Sequence, residues 1–274
     1  QTLLRRIAPR ANQPPLDVFL HIDLTDQRRM PAQRETLVRD LRARGATVWN
    51  AALPDLSKPA VQRWNRRLGL PDTTAARRGS PSEWLIVKTS FNCFSATECQ
   101  LSPEERVAIG YARRWTTPID AWPDYPILRR KDVPEEWWRS RKLAIERFIR
   151  PSPALFFRVS LAGEGAILTV YRTRNRLGRP GNSSSAQDLL LERSASRDDA
   201  SLRLIDHSGR EAFRNAVRFS DAIGLDFGAI DLVFDGTDAC VVDVNPTVFW
   251  GRQMDAQLGR HLRRGMTRWR PASI

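Results

Sequence analysis

The chain has 274 residues, 41% of them hydrophobic and 27% charged, with a formal net charge of +13 from 44 Lys and Arg against 31 Asp and Glu. This composition supports a sizeable core and excludes predominant disorder, collagen-like repeats and low-complexity architecture. No apolar run approaches the roughly 20 residues that span a bilayer, and no secretory signal pattern opens the chain.

After a polar, proline-ended lead, Asp17–Leu24 predicts a buried strand. Residues 31–44 have helical spacing, begin at Pro31 and stop at Gly45, and 46–50 resume as a strand. This strand–helix–strand unit is short for a dinucleotide-binding domain and has no Gly-x-Gly pattern. A helix is predicted over 58–68, closed by Gly69-Leu-Pro71, then a strand over 83–88 ending in Lys88. Residues 103–114 predict a helix, 115–135 a loop rich in proline and tryptophan, and 135–147 a helix merging into a strand over 143–149. Strands are expected at 155–160 and 166–171, a polar loop at 175–186 and a helix at 209–223. No internal repeat is present.

Cys93, Cys99 and Cys240 form neither a disulfide framework nor the paired short spacing of a zinc site, so a cytoplasmic, reducing location is expected. The three histidines are far apart and carry no companion motif. The charge excess suits a nucleic acid, an anionic membrane surface or a polyanionic substrate. It suits an arginine-rich solvated surface better, because pairs such as Arg66-Arg67 and Arg263-Arg264 are scattered along the chain.

The densest chemistry lies in residues 228–247, which predict two strands joined by an Asp-Gly turn. Strand alternation puts Asp243 and Asn245 on one face, with Val242 and Val244 on the other. With a connecting loop of three or five residues, Asp231 stands directly opposite Asp243. Two readings are then open: the solvated face of an edge hairpin, or an oxygen-donor cluster for Mg²⁺ with phosphate oxygens completing the shell. Opposed carboxylates repel without a cation between them, which favours the metal reading.

The pattern Ile230-Asp231 … Val242-Asp-Val-Asn-Pro-Thr247 resembles the metal-binding end of the ATP-grasp family, which includes D-alanine–D-alanine ligase, glutathione synthetase and the glutamate-adding ligases. The resemblance runs from about Lys58 to Gly251. It implies an α/β protein of ATP-grasp fold, with nucleotide held between two sheet-containing lobes. It further implies an abbreviated N-terminal unit over 1–53, a nucleotide lobe over 54–148 and a metal-bearing lobe over 149–274.

By the same resemblance, Asp231, Asp243 and Asn245 bind Mg²⁺, while Lys58 and Lys88 contact ATP. Phe148 and Ile149 pair their backbone with adenine, supported by Glu146. Arg158, Arg172 and Arg174 face phosphate or acyl-phosphate, and Asn182 lies near the γ-phosphate. Lys88 and Arg172 are the residues expected to assist catalysis. The implied activity is ATP- and Mg²⁺-dependent ligation of a small-molecule or peptide carboxylate to an amine, through an acyl-phosphate with release of ADP. A kinase on the same fold shares every one of these residues. A non-catalytic, basic binding protein on a degenerate scaffold, with nucleic acid among its partners, is a further alternative.

Three departures from the family pattern stand out. Asp243 replaces the more common Glu, residues 89–95 lack glycine, and Gln62 stands one turn after Lys58 where many members have a second lysine.

Overall fold

The computed structural model describes residues 16–20, 31–90, 104, 125–150, 155–172, 185–246 and 256–269. Strand β1 (Asp17–Phe19) pairs in parallel with β2 (Thr47–Trp49) across helix α1 (Pro31–Ala43). This is the expected strand–helix–strand unit, and Gly45 takes the left-handed conformation (φ 79°) that ends the helix. The continuation of β1 to residue 24 and the predicted helix over 103–114 lie outside the described residues, apart from residue 104.

Helix α2 (Lys58–Arg67) leads to a three-stranded sheet in which β3 (Trp84–Thr89) is flanked by β4 (Ile127–Arg129) and β5 (Leu143–Arg147). The loop expected over 115–135 is corrected by β4 and a 3₁₀ turn at Arg130–Asp132. A three-residue edge strand flanked by Pro126 and charged residues carries too little periodicity to be recognised. Helix α3 (Glu135–Arg139) covers one face of this sheet, where Leu85, Val87, Trp137 and Leu143 form a core. Strand alternation leaves Ile86, Lys88, Ala144 and Glu146 on the opposite face.

The larger sheet has five antiparallel strands in the order β10-β9-β6-β7-β8. They are β6 (Leu155–Ala162), β7 (Gly165–Arg172), β8 (Ser185–Glu192), β9 (Phe227–Phe234) and β10 (Ala239–Asn245). The start of β8 overlaps the predicted polar loop, because an edge strand can carry a sequence such as Ser-Ala-Gln-Asp. Helix α4 (His207–Ile223) has its N-terminus capped by Asp206, which accepts from Gly209 N at 2.7 Å. It packs Phe213, Val217 and Phe219 against Phe157, Val159, Leu161, Ile230 and Leu232. Leu53, Leu56, Val61 and Leu70 join the same core, so α2 leans on the larger sheet.

The N-terminal unit is tied in by Asn50, whose φ of 62° is rare outside glycine. Its Oδ1 accepts from the backbone N–H of Asp226 and of Phe227, both at 3.0 Å, and its own N–H donates to Asp226 Oδ2 at 2.9 Å. These bonds hold the left-handed turn in place.

Helix α5 (Ala256–Thr267) seats Leu262 on Ala162 and Ile167, at one end of the large sheet's second face. Gly265 lies against the β6–β7 turn, where a Cβ would collide with the Gly165 backbone and come within 2.7 Å of the Ala162 carbonyl. Gly265→Ala is therefore expected to cost about 1–3 kcal/mol through overpacking. An unchanged urea midpoint would show that α5 can move away without penalty.

Candidate active site between the two sheets

Cross-strand register on the larger sheet's second face places Asp188, Thr169, Arg158, Asp231 and Asp243 in one row over all five strands. Within this row the Arg158 guanidinium forks onto Asp231, Nε to Oδ1 at 2.7 Å and a terminal nitrogen to Oδ2 at 2.8 Å. Burial alone lowers the Arg158 pKa, but the Asp231 carboxylate against it raises it above the ordinary value. Thr169 donates to Asp188 at 2.6 Å.

Asp231 and Asp243 are direct cross-strand partners, as alternation requires, but the route differs from the expected one. Phe234 faces Ala239 across a four-residue connection, and the register shifts between Val241 and Asp243. Val242 is thus the extra residue of a β-bulge. The bulge lets Val241 and Val244 both enter the core while Asp243 and Asn245 face outward. An odd-length loop is not needed.

The cations that offset the opposed carboxylates belong to the chain itself. Arg158 holds Asp231, and Lys58 Nζ lies 3.0 Å from Asp243 Oδ1. Asn245 Nδ2 donates to Asp231 Oδ2 at 3.2 Å, and Val244 N to Asp243 Oδ1 at 3.0 Å. From the smaller sheet, Lys88 Nζ reaches Glu146 Oε2 at 2.8 Å and the Val242 carbonyl at 3.4 Å. The Lys88–Glu146 pair is buried, at 6% and 2% exposure. The facing sides of the two sheets and the start of α2 thus bring together Lys58, Lys88, Arg158, Glu146, Asp231, Asp243 and Asn245.

Other expected site residues fall elsewhere. Arg172 pairs with Leu155 at the exposed end of β7, and alternation turns it to the face opposite Arg158, Thr169 and Tyr171. It is not brought into this cluster. The Phe148 N–H donates to the Trp84 carbonyl at 2.9 Å, so it extends the β3–β5 ladder and is not offered to an adenine ring. Alternation turns Ile149 N–H to the other side of the strand, where Arg147 N–H meets Thr73 O at 2.6 Å. Arg174 and Asn182 lie outside the described residues, as do residues 91–95 of the glycine-free segment.

Three residues not singled out as site residues in the sequence belong to this neighbourhood. Gln62 and Asn65 of α2 donate to the Val241 carbonyl at 3.3 and 2.9 Å, and Thr73 Oγ1 donates to Glu146 Oε2 at 2.9 Å. Gln62 had a signal, its place where the family often has lysine. Asn65 and Thr73 had none.

Among the described residues, no group of three or more His, Cys, Asp or Glu side chains converges to hold a metal. Asp231, Asp243 and Asn245 offer two carboxylates and an amide. That donor set is too small for a protein-only cage, but it fits Mg²⁺, which keeps water or substrate phosphates in its shell. Glu146 Oε1 is buried with no hydrogen-bond partner, an acceptor left over for a donor on a ligand.

No protein-family model and no curated protein sequence matches the chain. Among solved structures, it is similar to the ATP-grasp ligase PsnB complexed with precursor peptide PsnA2 and AMPPNP, at 14% identity and a TM-score of 0.48, covering 92% of this chain and 78% of that one. An ATP-grasp RimK domain protein from Sphaerobacter thermophilus gives 16% identity and a TM-score of 0.46, over 94% and 81%. D-alanine–D-alanine ligase from Bacillus anthracis gives 10% identity and a TM-score of 0.40, over 86% and 76%.

Proposed function

We propose that the chain is an ATP-grasp enzyme that binds Mg²⁺ and ATP between its two sheets and ligates a carboxylate to an amine. The observation that carries this reading is the meeting of Asp231, Asp243 and Asn245 with the Lys88–Glu146 pair from the facing sheet. Such a site offers oxygen donors on the larger sheet with the Lys58 ammonium beside them, and the buried Lys88 ammonium on the facing sheet, a combination that suits a metal-bound triphosphate. Bound Mg²⁺ would supply Lewis-acid neutralisation of phosphate charge. Asp231, Asp243 and Asn245 would hold it, and Lys58 and Lys88 would exchange their carboxylate partners for phosphate oxygens. Arg158 stays forked on Asp231 and fixes that carboxylate's orientation. The substrates are small molecules or peptides. In the proposed reaction the acid takes the γ-phosphoryl group as an acyl-phosphate and ADP leaves. The amine then displaces phosphate and gives up its proton.

Thermal unfolding with ATP, with Mg²⁺ and with both tests the site. At 100-fold excess over its dissociation constant, a ligand specific for the native state stabilises by about 2.7 kcal/mol, or roughly 5–10 °C for a domain of this size. The shift is expected only with both ligands and is expected to vanish in Asp243→Ala. No shift at millimolar Mg-ATP would refute the reading, and a stable phosphorylated product in place of acid–amine coupling would redirect it to a kinase.

The Arg158–Asp231 fork generates a second expectation. Asp231→Asn leaves a largely buried guanidinium without its counter-charge and should cost about 3 kcal/mol in urea unfolding. Replacing the pair together, with Arg158→Met and Asp231→Leu, should recover most of that loss. Equal losses in the single and double variants would show that the fork is not what stabilises this row.

A further inference from the structure

Val241 O is turned away from β9 at the free edge of β10, Val242 O sits in the bulge, and side chains from other elements take both. Val241 O accepts from Asn65 Nδ2 at 2.9 Å and Gln62 Nε2 at 3.3 Å, and Val242 O accepts from Lys88. Gln62 and Asn65 are 1% and 0% exposed. They sit three residues apart on α2 and are bonded to each other, Asn65 Nδ2 to Gln62 Oε1 at 3.0 Å. Gln62 Oε1 also accepts from Thr73 N at 3.0 Å, and the Thr73 hydroxyl continues to Glu146.

Burying two amides in a helix–sheet contact is costly unless they are bonded. Here their donors converge on one backbone carbonyl, the last before the extra residue. That carbonyl matters because the core demands an irregular strand. Val241 and Val244 both point inward, and a three-residue spacing breaks the two-residue period. A one-residue slip would send Asp243 into the core and Val244 into the cleft.

We propose that Gln62 and Asn65 are positioning residues, which anchor the edge-facing Val241 carbonyl immediately before the extra residue and so fix the bulge that aims Asp243 and Asn245 at Asp231. The inference rests on the metal site proposed above, and it gives the Gln62 departure from the family's lysine a specific task.

The test is Mn²⁺ binding followed by electron paramagnetic resonance with saturating ADP, beside ADP affinity measured without metal. Asn65→Ala is expected to lose at least about tenfold in Mn²⁺ affinity, the range seen when groups that orient metal ligands are removed. ADP affinity without metal should stay within about threefold, since a local effect on the bulge leaves the nucleotide's other contacts in place. Gln62→Met, close to isosteric, should show the same split and carries the test if Asn65→Ala does not fold.

Deleting Val242 provides a rescue. It removes the extra residue yet keeps Asp243 opposite Asp231, so Asn65→Ala should then cost less than about twofold, as expected for groups whose coupling has been removed. Folded variants with wild-type Mn²⁺ affinity, or with metal and metal-free ADP affinities falling alike, would overturn the inference while leaving the metal site intact. Failure of the wild type to bind Mn²⁺ with ADP would instead bring down the proposed site itself.

Discussion

Two carboxylates facing each other across neighbouring strands set the terms for the whole cleft. Directly opposed side chains stand about 5 Å apart, and two like charges at that distance repel by about 3 kcal/mol at an effective dielectric constant near 20. A domain stable by roughly 5–15 kcal/mol does not keep such a pair uncompensated. Arg158 and Lys58 provide the compensation, one from the neighbouring strand β6 and one from the first turn of α2. Lys88, from the smaller sheet, balances Glu146 in the same way. The requirement to neutralise Asp231 and Asp243 therefore helps to dock α2 on β10, and the Lys88–Val242 contact helps to bring the smaller sheet against it.

This balance bears on the proposed chemistry. Among the described residues, Lys58, Lys88 and Arg158 are matched by Asp243, Glu146 and Asp231, so these six groups sum to zero charge. Under the proposed reading, a triphosphate and a divalent cation enter by exchange of partners. Phosphate oxygens replace carboxylates at Lys58 and Lys88, and Asp243 gains a new cation as it releases Lys58. Each exchange replaces one buried pair with another, which avoids the penalty of leaving either charge alone. Arg158 differs from the lysines in this respect. Its planar fork uses both Asp231 oxygens, a geometry that a lysine cannot reproduce, so it orients the carboxylate while the lysines remain transferable.

The opposition of Asp231 and Asp243 was legible in the sequence because alternation acts locally and both strands are strongly apolar. Its physical route was not. The bulge is encoded in the three-residue spacing of Val241 and Val244, but recognising it requires knowing that both enter the core. Asn65 was invisible because its task, satisfying a stray carbonyl 176 positions away, exists only once α2 lies on β10. Arg172, grouped with Arg158 by the family resemblance, shares the phase of Val170 and Leu168, which face the opposite side. The edge strands β4 and β8 were missed where pairing on one side supports polar residues that intrinsic preference disfavours.

The local neutrality of the cleft also changes the meaning of the +13 net charge. Since the cations of this described cluster are matched one for one by acids, the excess resides on the rest of the molecule. Long-range potential and local binding are then separate devices. The surface field raises the local concentration of anions and weakens with salt, whereas the buried pairs are screened far less. Under the proposed reading, a nucleotide drawn by the first would encounter a site where specificity depends on geometry: the fork on Asp231, the bulge at Val242 and two buried lysines with partners to exchange. The basic composition that also allowed nucleic acid is thus compatible with a small polyanion, because under the proposed reading the charge that attracts and the charge that binds belong to different residues.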